Sequence, residues 1–158
     1  LTEPALSVSI DPIWGTIRQI RGKVGALLTG YSSELRSAAM MTASELLENA
    51  VKYGDGVPQA PQIVFTLSLT EALIQLRTVN GSDDGQNVER LKARLERLAA
   101  SEDPAALYLD AIRGMLTPPT RDAGDGLGLY RIAAEGGFAL SCQYVDRIVD
   151  VLATRRIG

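Results

Sequence analysis

The chain contains no histidine. That absence removes the Ser-His-Asp triad, any histidine-based metal centre and a phosphohistidine acceptor within the chain. Cysteine is almost as scarce, with Cys142 alone. One thiol can neither close an intrachain disulfide nor build a zinc cluster, and such a chain suits a reducing cytosol. Cys142 itself reads as a small buried hydrophobe on a strand. No apolar run approaches the roughly 20 residues of a membrane span. The net charge of −3 gives no general pull toward nucleic acid. The expectation is therefore a cytoplasmic protein with neither a membrane nor a nucleic acid as partner. Acid–base chemistry falls to Glu, Asp, Lys or Tyr.

What is present fits a globular chain. Its 158 residues are 46% hydrophobic and 22% charged, enough for one domain over 1–158 with a real core. It opens on Leu1 rather than Met, which leaves the natural N-terminus open. Leu6 to Ile10 reads as a strand. Asp11-Pro12 has the form of a helix start, with Asp as N-cap and Pro at the first helical position. Ile13, Ile17, Ile20, Val24, Leu27 and Leu28 follow at helical spacing up to Gly30. Ser32 or Ser33 then caps a second helix that runs to Gly54. Residues 62–68 and 72–79 read as strands around a turn at Leu69-Thr70-Glu71. Helical segments are predicted at 87–100 and 104–116, a Pro- and Gly-containing loop at 117–126, and a short helix at 127–135 stopped by Gly136-Gly137. A final hairpin, 138–144 and 148–155, turns at Val145-Asp146-Arg147.

The order β-α-α-β-β-α-α-α-β-β is dominated by hairpins. It predicts an α/β (α+β) two-layer sandwich, with a mixed, mostly antiparallel sheet and helices on one face. A doubly wound sheet would instead alternate single strands with helices.

Two stretches carry chemistry. The first is Ser44-Glu45-Leu46-Leu47-Glu48-Asn49-Ala50-Val51-Lys52-Tyr53-Gly54. At about 100° per residue, Glu45, Asn49 and Lys52 fall in a narrow arc. Ala39, Ala43, Leu46, Leu47 and Ala50 gather opposite, to lie on a sheet, so the polar arc is expected to face away from it. Glu offers a base, Asn a neutral oxygen suited to Mg²⁺, and Lys a positive charge for phosphate. The same residues also fit a solvated face on which Glu48 and Lys52 form an i,i+4 pair. The second stretch is Gly124-Asp125-Gly126-Leu127-Gly128-Leu129, just before a helix. Alternate glycines let backbone approach a ligand, and helix-start N–H groups can hold a phosphate. The spacing is neither the dinucleotide-binding fingerprint nor the Walker A pattern.

Together, ELLENAVKYG and GDGLGLYRI resemble the N box and the G2 box of the GHKL ATPases, the Bergerat-fold superfamily. The resemblance covers nearly the whole chain. It implies ATP and Mg²⁺ as cofactors, with Asn49 binding the metal and Lys52 near the phosphates. It also implies Gly124, Gly126, Leu127 and Gly128 in the lid over the triphosphate. Histidine kinases of the superfamily usually carry Asn where this chain has Glu45. Anti-sigma-factor serine kinases carry Glu there, and Glu45 looks like their base for a protein hydroxyl. Ile17-Arg18-Gln19-Ile20-Arg21 on the first helix also resembles that branch. The helical insert at about 86–117 resembles the SiaB-like protein kinases. The superfamily's Asp-x-Gly-x-Gly box is replaced here by Val79-Asn80-Gly81-Ser82-Asp83-Asp84-Gly85. Asn80 would accept the adenine hydrogen bond as a neutral group, or Asp83 or Asp84 would serve instead.

The expectation is an ATP-dependent serine/threonine protein kinase of a bacterial partner-switching pathway. Its partners would be ATP/ADP, a small antagonist-like substrate protein, and a sigma factor or phosphatase, with a homodimer left open. A non-catalytic interaction module and the ATP-binding half of a split histidine kinase are the alternatives. Within the insert, Val88, Leu91, Leu95 and Leu98 follow a 3-4-3 spacing. This stripe either folds onto its own domain or faces a partner while covering the nucleotide.

Overall fold

Alternation of apolar and polar residues sets the sheet. In β2 (Ile63–Leu69) Ile63, Phe65 and Leu67 are buried while Val64 and Thr66 are only partly so. β3 (Leu73–Gly81) alternates likewise through Ile74, Leu76, Thr78 and Asn80. The computed structural model describes residues 3–11, 13–54, 57–115 and 127–157. With β1 (Leu6–Ile10), β5 (Ile148–Arg156) and β4 (Ala139–Val145), these strands form a five-stranded sheet in the order β1-β2-β3-β5-β4. Every pairing is antiparallel, with no parallel pair among the described residues.

Five helices among the described residues complete the element order. They are α1 (Gly15–Leu27), α2 (Ser33–Tyr53), α3 (Gly85–Ala100), α4 (Pro104–Met115) and α5 (Leu127–Ala134). α2 lies against β2 and β3, α3 against β4, while α1 rests on α2 and α4 on α5. The result is an α+β sandwich. Its core joins Phe65, Leu67, Ile74 and Leu76 of the sheet to Leu46 and Leu47 of α2 and Leu129 and Ile132 of α5. The other face of the sheet carries the Arg77–Asp150 ion pair. No helix among the described residues is long and apolar enough to cross a membrane.

The helix ends have local causes. Ser32 caps α2 by accepting from Leu35 N at 3.2 Å, and Asp84 caps α3 by accepting from Asn87 N at 3.1 Å. α5 stops before Gly136, whose N–H donates to Arg131 O at 3.1 Å. The Asp11 cap does not form. α1 begins at Gly15 without a side-chain cap, and Asp11 Oδ1 accepts from Gln62 Nε2 at 3.2 Å instead. A tertiary partner on the strand side outcompetes the local helix start.

The α3 stripe folds onto its own chain. Val88, Leu91, Leu95 and Leu98 are all buried in the core. Each such side chain contributes roughly 1.5–3 kcal/mol on leaving water. The stripe is therefore not a partner-facing surface.

Candidate functional site

α2 carries Glu45, Asn49 and Lys52 within about two turns, and the fold sends them to three environments. Asn49 points toward the sheet. Its side chain lines a small cavity with Leu46, Thr78, Asn80, Val88, Leu129 and Val151 among its neighbours. This corrects the expectation that the polar arc faces away from the sheet. Asn49 lies close enough in the arc to the apolar side for its amide to slip between α2 and the ends of β3 and β5. Of this segment's polar side chains that the structure describes, Glu48 and Lys52 are the exposed ones. Lys52 sits in the last turn of α2, exposed, and does not line the cavity.

The Asn49 amide nitrogen is buried and has no hydrogen-bond partner among the described residues. Such a group costs about 1–3 kcal/mol in desolvation. Native chains tolerate it where it serves a ligand or a strained site. Asn80, at the end of β3, is 4% exposed, and its Nδ2 donates to Gly81 O at 3.2 Å. A Cβ on Gly54 would stand 2.9 Å from that Nδ2, so the end of α2 abuts Asn80. Asn80 is thus the residue of its loop that reaches the cavity. Asp84 is taken up by the α3 cap, and Asp83 forms an ion pair with Arg147.

Glu45 lies on the other flank, beneath the start of α5. A Cβ on Gly128 would come within 2.1 Å of Glu45 Oε2. Only glycine lets the α5 backbone approach this carboxylate so closely. Leu129, the next residue, fills the wall of the Asn49 cavity. The helix of the first motif and the helix start of the second therefore meet in space. Leu127 begins α5 and is partly buried. Gly124 and Gly126 lie outside the described residues.

Burial raises the pKa of Glu45 above its ordinary 4.5, and the nearby Glu48 carboxylate pushes the same way. Arg131 opposes both by charge and hydrogen bond. Its Nη1 is 3.5 Å from Glu45 Oε1, and its Nε donates to Glu135 Oε2 at 2.9 Å. Burial first, then the Glu135 carboxylate, pushes up the phenol of Tyr108 on α4. Arg131, Glu135 and Tyr108 are absent from the sequence-based site. The Arg131–Glu135 spacing of four marks an intrahelical pair, but nothing in the sequence links either residue to Glu45.

Chemically, the donors fit a hard cation only through Asn49 and a ligand's own oxygens. No cluster of three carboxylate or thiol side chains exists among the described residues. A half-turn of the Asn49 amide would present Oδ1 where Nδ2 stands, so the orphaned end suits either a donor or an acceptor. The cavity holds only about 10 Å³ of free volume, room for about one water. Small-molecule sites usually span roughly 300–1,000 Å³. A wide concavity of about 680 Å³ exists on the opposite, open face of the sheet around Arg77 and Asp150. It contains none of the motif residues. No protein-family model matches the chain, and no curated protein matches it.

Proposed function

We propose that this chain is a Bergerat-fold ATP-binding protein of the GHKL superfamily. In this reading it acts as a serine/threonine protein kinase on a small partner protein, in a partner-switching pathway of the bacterial cytoplasm. One observation carries it: the Asn49 amide nitrogen, buried and without a hydrogen-bond partner among the described residues, shares a cavity with Asn80 and with Leu129, one residue beyond the glycine that touches Glu45. Both motifs of the sequence thus contribute to one locus.

Bound Mg-ATP would supply the phosphoryl group and the charge-neutralising metal. Asn49 would give the metal an oxygen ligand, and Asn80 would meet the base through a neutral amide. Lys52, with residues 124–128, would hold phosphate charge. Glu45, desolvated and with its pKa raised above the ordinary carboxylate value, has the character of a general base. It takes the proton of the acceptor Ser or Thr hydroxyl as that oxygen bonds to the γ-phosphorus. The bond from phosphorus to the bridging oxygen breaks, and ADP leaves. Calorimetry with Mg-ATP tests the first half: wild type should give heat and Asn49→Ala should not. Glu45→Gln tests the second, keeping Mg-ATP affinity while losing transfer to the partner. Normal transfer by that variant would refute the base assignment.

The 10 Å³ cavity favours a second reading, a non-catalytic interaction module on the same fold. Val88 and Leu91 of α3 wall the cavity and are themselves core residues. Absence of both heat and thermal shift at millimolar Mg-ATP and Mg-ADP would select this reading over the first.

A further inference from the structure

A line of polar groups joins two helices beside Glu45. Arg131 Nη1 of α5 lies 3.5 Å from Glu45 Oε1 of α2. The same guanidinium donates through Nε to Glu135 Oε2 at 2.9 Å. The other carboxylate oxygen of Glu45, Oε2, faces Gly128, where an added Cβ would stand 2.1 Å away. One oxygen of Glu45 therefore meets a cation, and the other lies against bare backbone. Both restraints come from α5, three residues apart on adjoining turns.

A glutamate side chain has several staggered rotamers to choose among. Contacts at both oxygens leave it one orientation. Every charged neighbour bears on this carboxylate in a definite sense. Glu48, on α2, and Glu135, just after α5, repel it, and Arg131 attracts it. Arg21 of α1 is engaged one residue away, with its Nη1 3.4 Å from Ser44 Oγ. Arg131 is thus the cation seated on Glu45.

We propose that Arg131, itself held by Glu135, is a positioning residue for Glu45. The catalytic meaning rests on the kinase reading above, while the placement of the carboxylate does not. Arg131 acts through Glu45.

The test uses the full chain with Arg131→Met and Arg131→Lys. Exposed ion pairs contribute little to stability, and Arg131 is 46% exposed, so melting temperatures should stay close to wild type. The first readout is the carbon-13 titration of the Glu45 carboxyl by NMR, without nucleotide. A cation beside a carboxylate favours its charged form. Arg131→Met should therefore raise the midpoint, and Arg131→Lys should hold it near wild type. An unchanged midpoint in a folded Arg131→Met chain overturns the proposal. If that variant does not fold, a Lys variant unable to hold the wild-type value overturns the role of the cation. The second readout is steady-state turnover of Mg-ATP. Arg131→Met should lower kcat by roughly tenfold to a hundredfold, the scale of a misplaced catalytic group, with KM unchanged and Lys restoring part of the loss. A change in KM alone, or in neither constant, counts against positioning. Calorimetry on wild type separates the two ideas: no heat with Mg-ATP removes the kinase reading, and the carboxyl titration still decides the placement.

Discussion

Replacing Asn49 by leucine should make the nucleotide-free protein more stable and abolish its response to Mg-ATP. The amide nitrogen is buried without a hydrogen-bond partner among the described residues, and its surroundings are chiefly Leu46, Ala50, Val88, Leu129, Val149 and Val151. Removing an unsatisfied buried donor regains about 1–3 kcal/mol. Leucine has the same branching as asparagine but bulkier ends, and only about 10 Å³ is free to receive them. Overpacking of this kind costs about 1 kcal/mol at its mild end. The expected net is a gain of about 1 kcal/mol. At roughly 2–4 °C per kcal/mol for a chain of this size, the melting temperature should rise by a few degrees. Calorimetric or optical melting with and without millimolar Mg-ATP measures both effects at once. A clear fall in melting temperature would mean the amide is satisfied in the folded chain, which removes the stability–function conflict used to assign the site. A rise with the Mg-ATP shift intact would leave the physics standing and take Asn49 out of the ligand site.

Gly128→Ala gains about 1 kcal/mol of helix propensity and forces Glu45 aside at about 0.5–1.5 kcal/mol, so urea midpoints should hardly move while any Glu45-dependent activity falls. Gly54→Ala differs, because its Cβ would stand 2.2 Å from the backbone oxygen of Ala50; that oxygen cannot swing away, and a loss of roughly 2 kcal/mol or more is expected from such a clash. Glu45 holds its proton in the folded chain at pH values where the unfolded chain has released it, because burial raises the folded pKa above 4.5. Stability from this group therefore falls as pH rises from 4.5 through the raised value, and Glu45→Gln should stabilise above that window and not below it, as melting curves across pH will record. Burial pushes the Cys142 thiol up to about 11, so a thiol reagent at neutral pH should modify it slowly in the native chain and rapidly in denaturant; fast native modification would contradict its packing.

The architecture was legible wherever periodicity and punctuation agreed. The strand alternation from Ile63 to Leu69, the Ser32 cap and the break after Tyr53 all stand within a residue or two of their predicted places. So do α3, α4 and α5. Asp11-Pro12 misled because a cap is a weak local preference, and Gln62 offered Asp11 a tertiary partner. The hairpin turn at Asp146 and Arg147 was located, but its left-handed backbone, φ 52° and 65°, was not legible from a sequence without glycine there. For an arginine that conformation costs about 1–2 kcal/mol. It is held by contacts from a distant loop: Ser82 N donates to Arg147 O at 2.8 Å, and the Arg147 side chain forms an ion pair with Asp83.

The site was legible as an arc and illegible as an environment. Four residues of helix turn the chain by about 400°, so Glu45 and Asn49 differ by only about 40° in direction. Helical spacing alone cannot separate them. What separates them is α5, which crosses beside α2 with Gly128 against Glu45 and Leu129 in the Asn49 cavity. One carboxylate is thereby delivered to Arg131, and one amide nitrogen is left against the sheet with no hydrogen-bond partner among the described residues. Those two outcomes depend on residues some eighty positions away in the chain, as the Glu45–Arg131 separation of 86 records. No local pattern encodes such a contact. The glycine spacing of the second motif marked where a backbone could approach, and the structure identifies the side chain it approaches at Gly128.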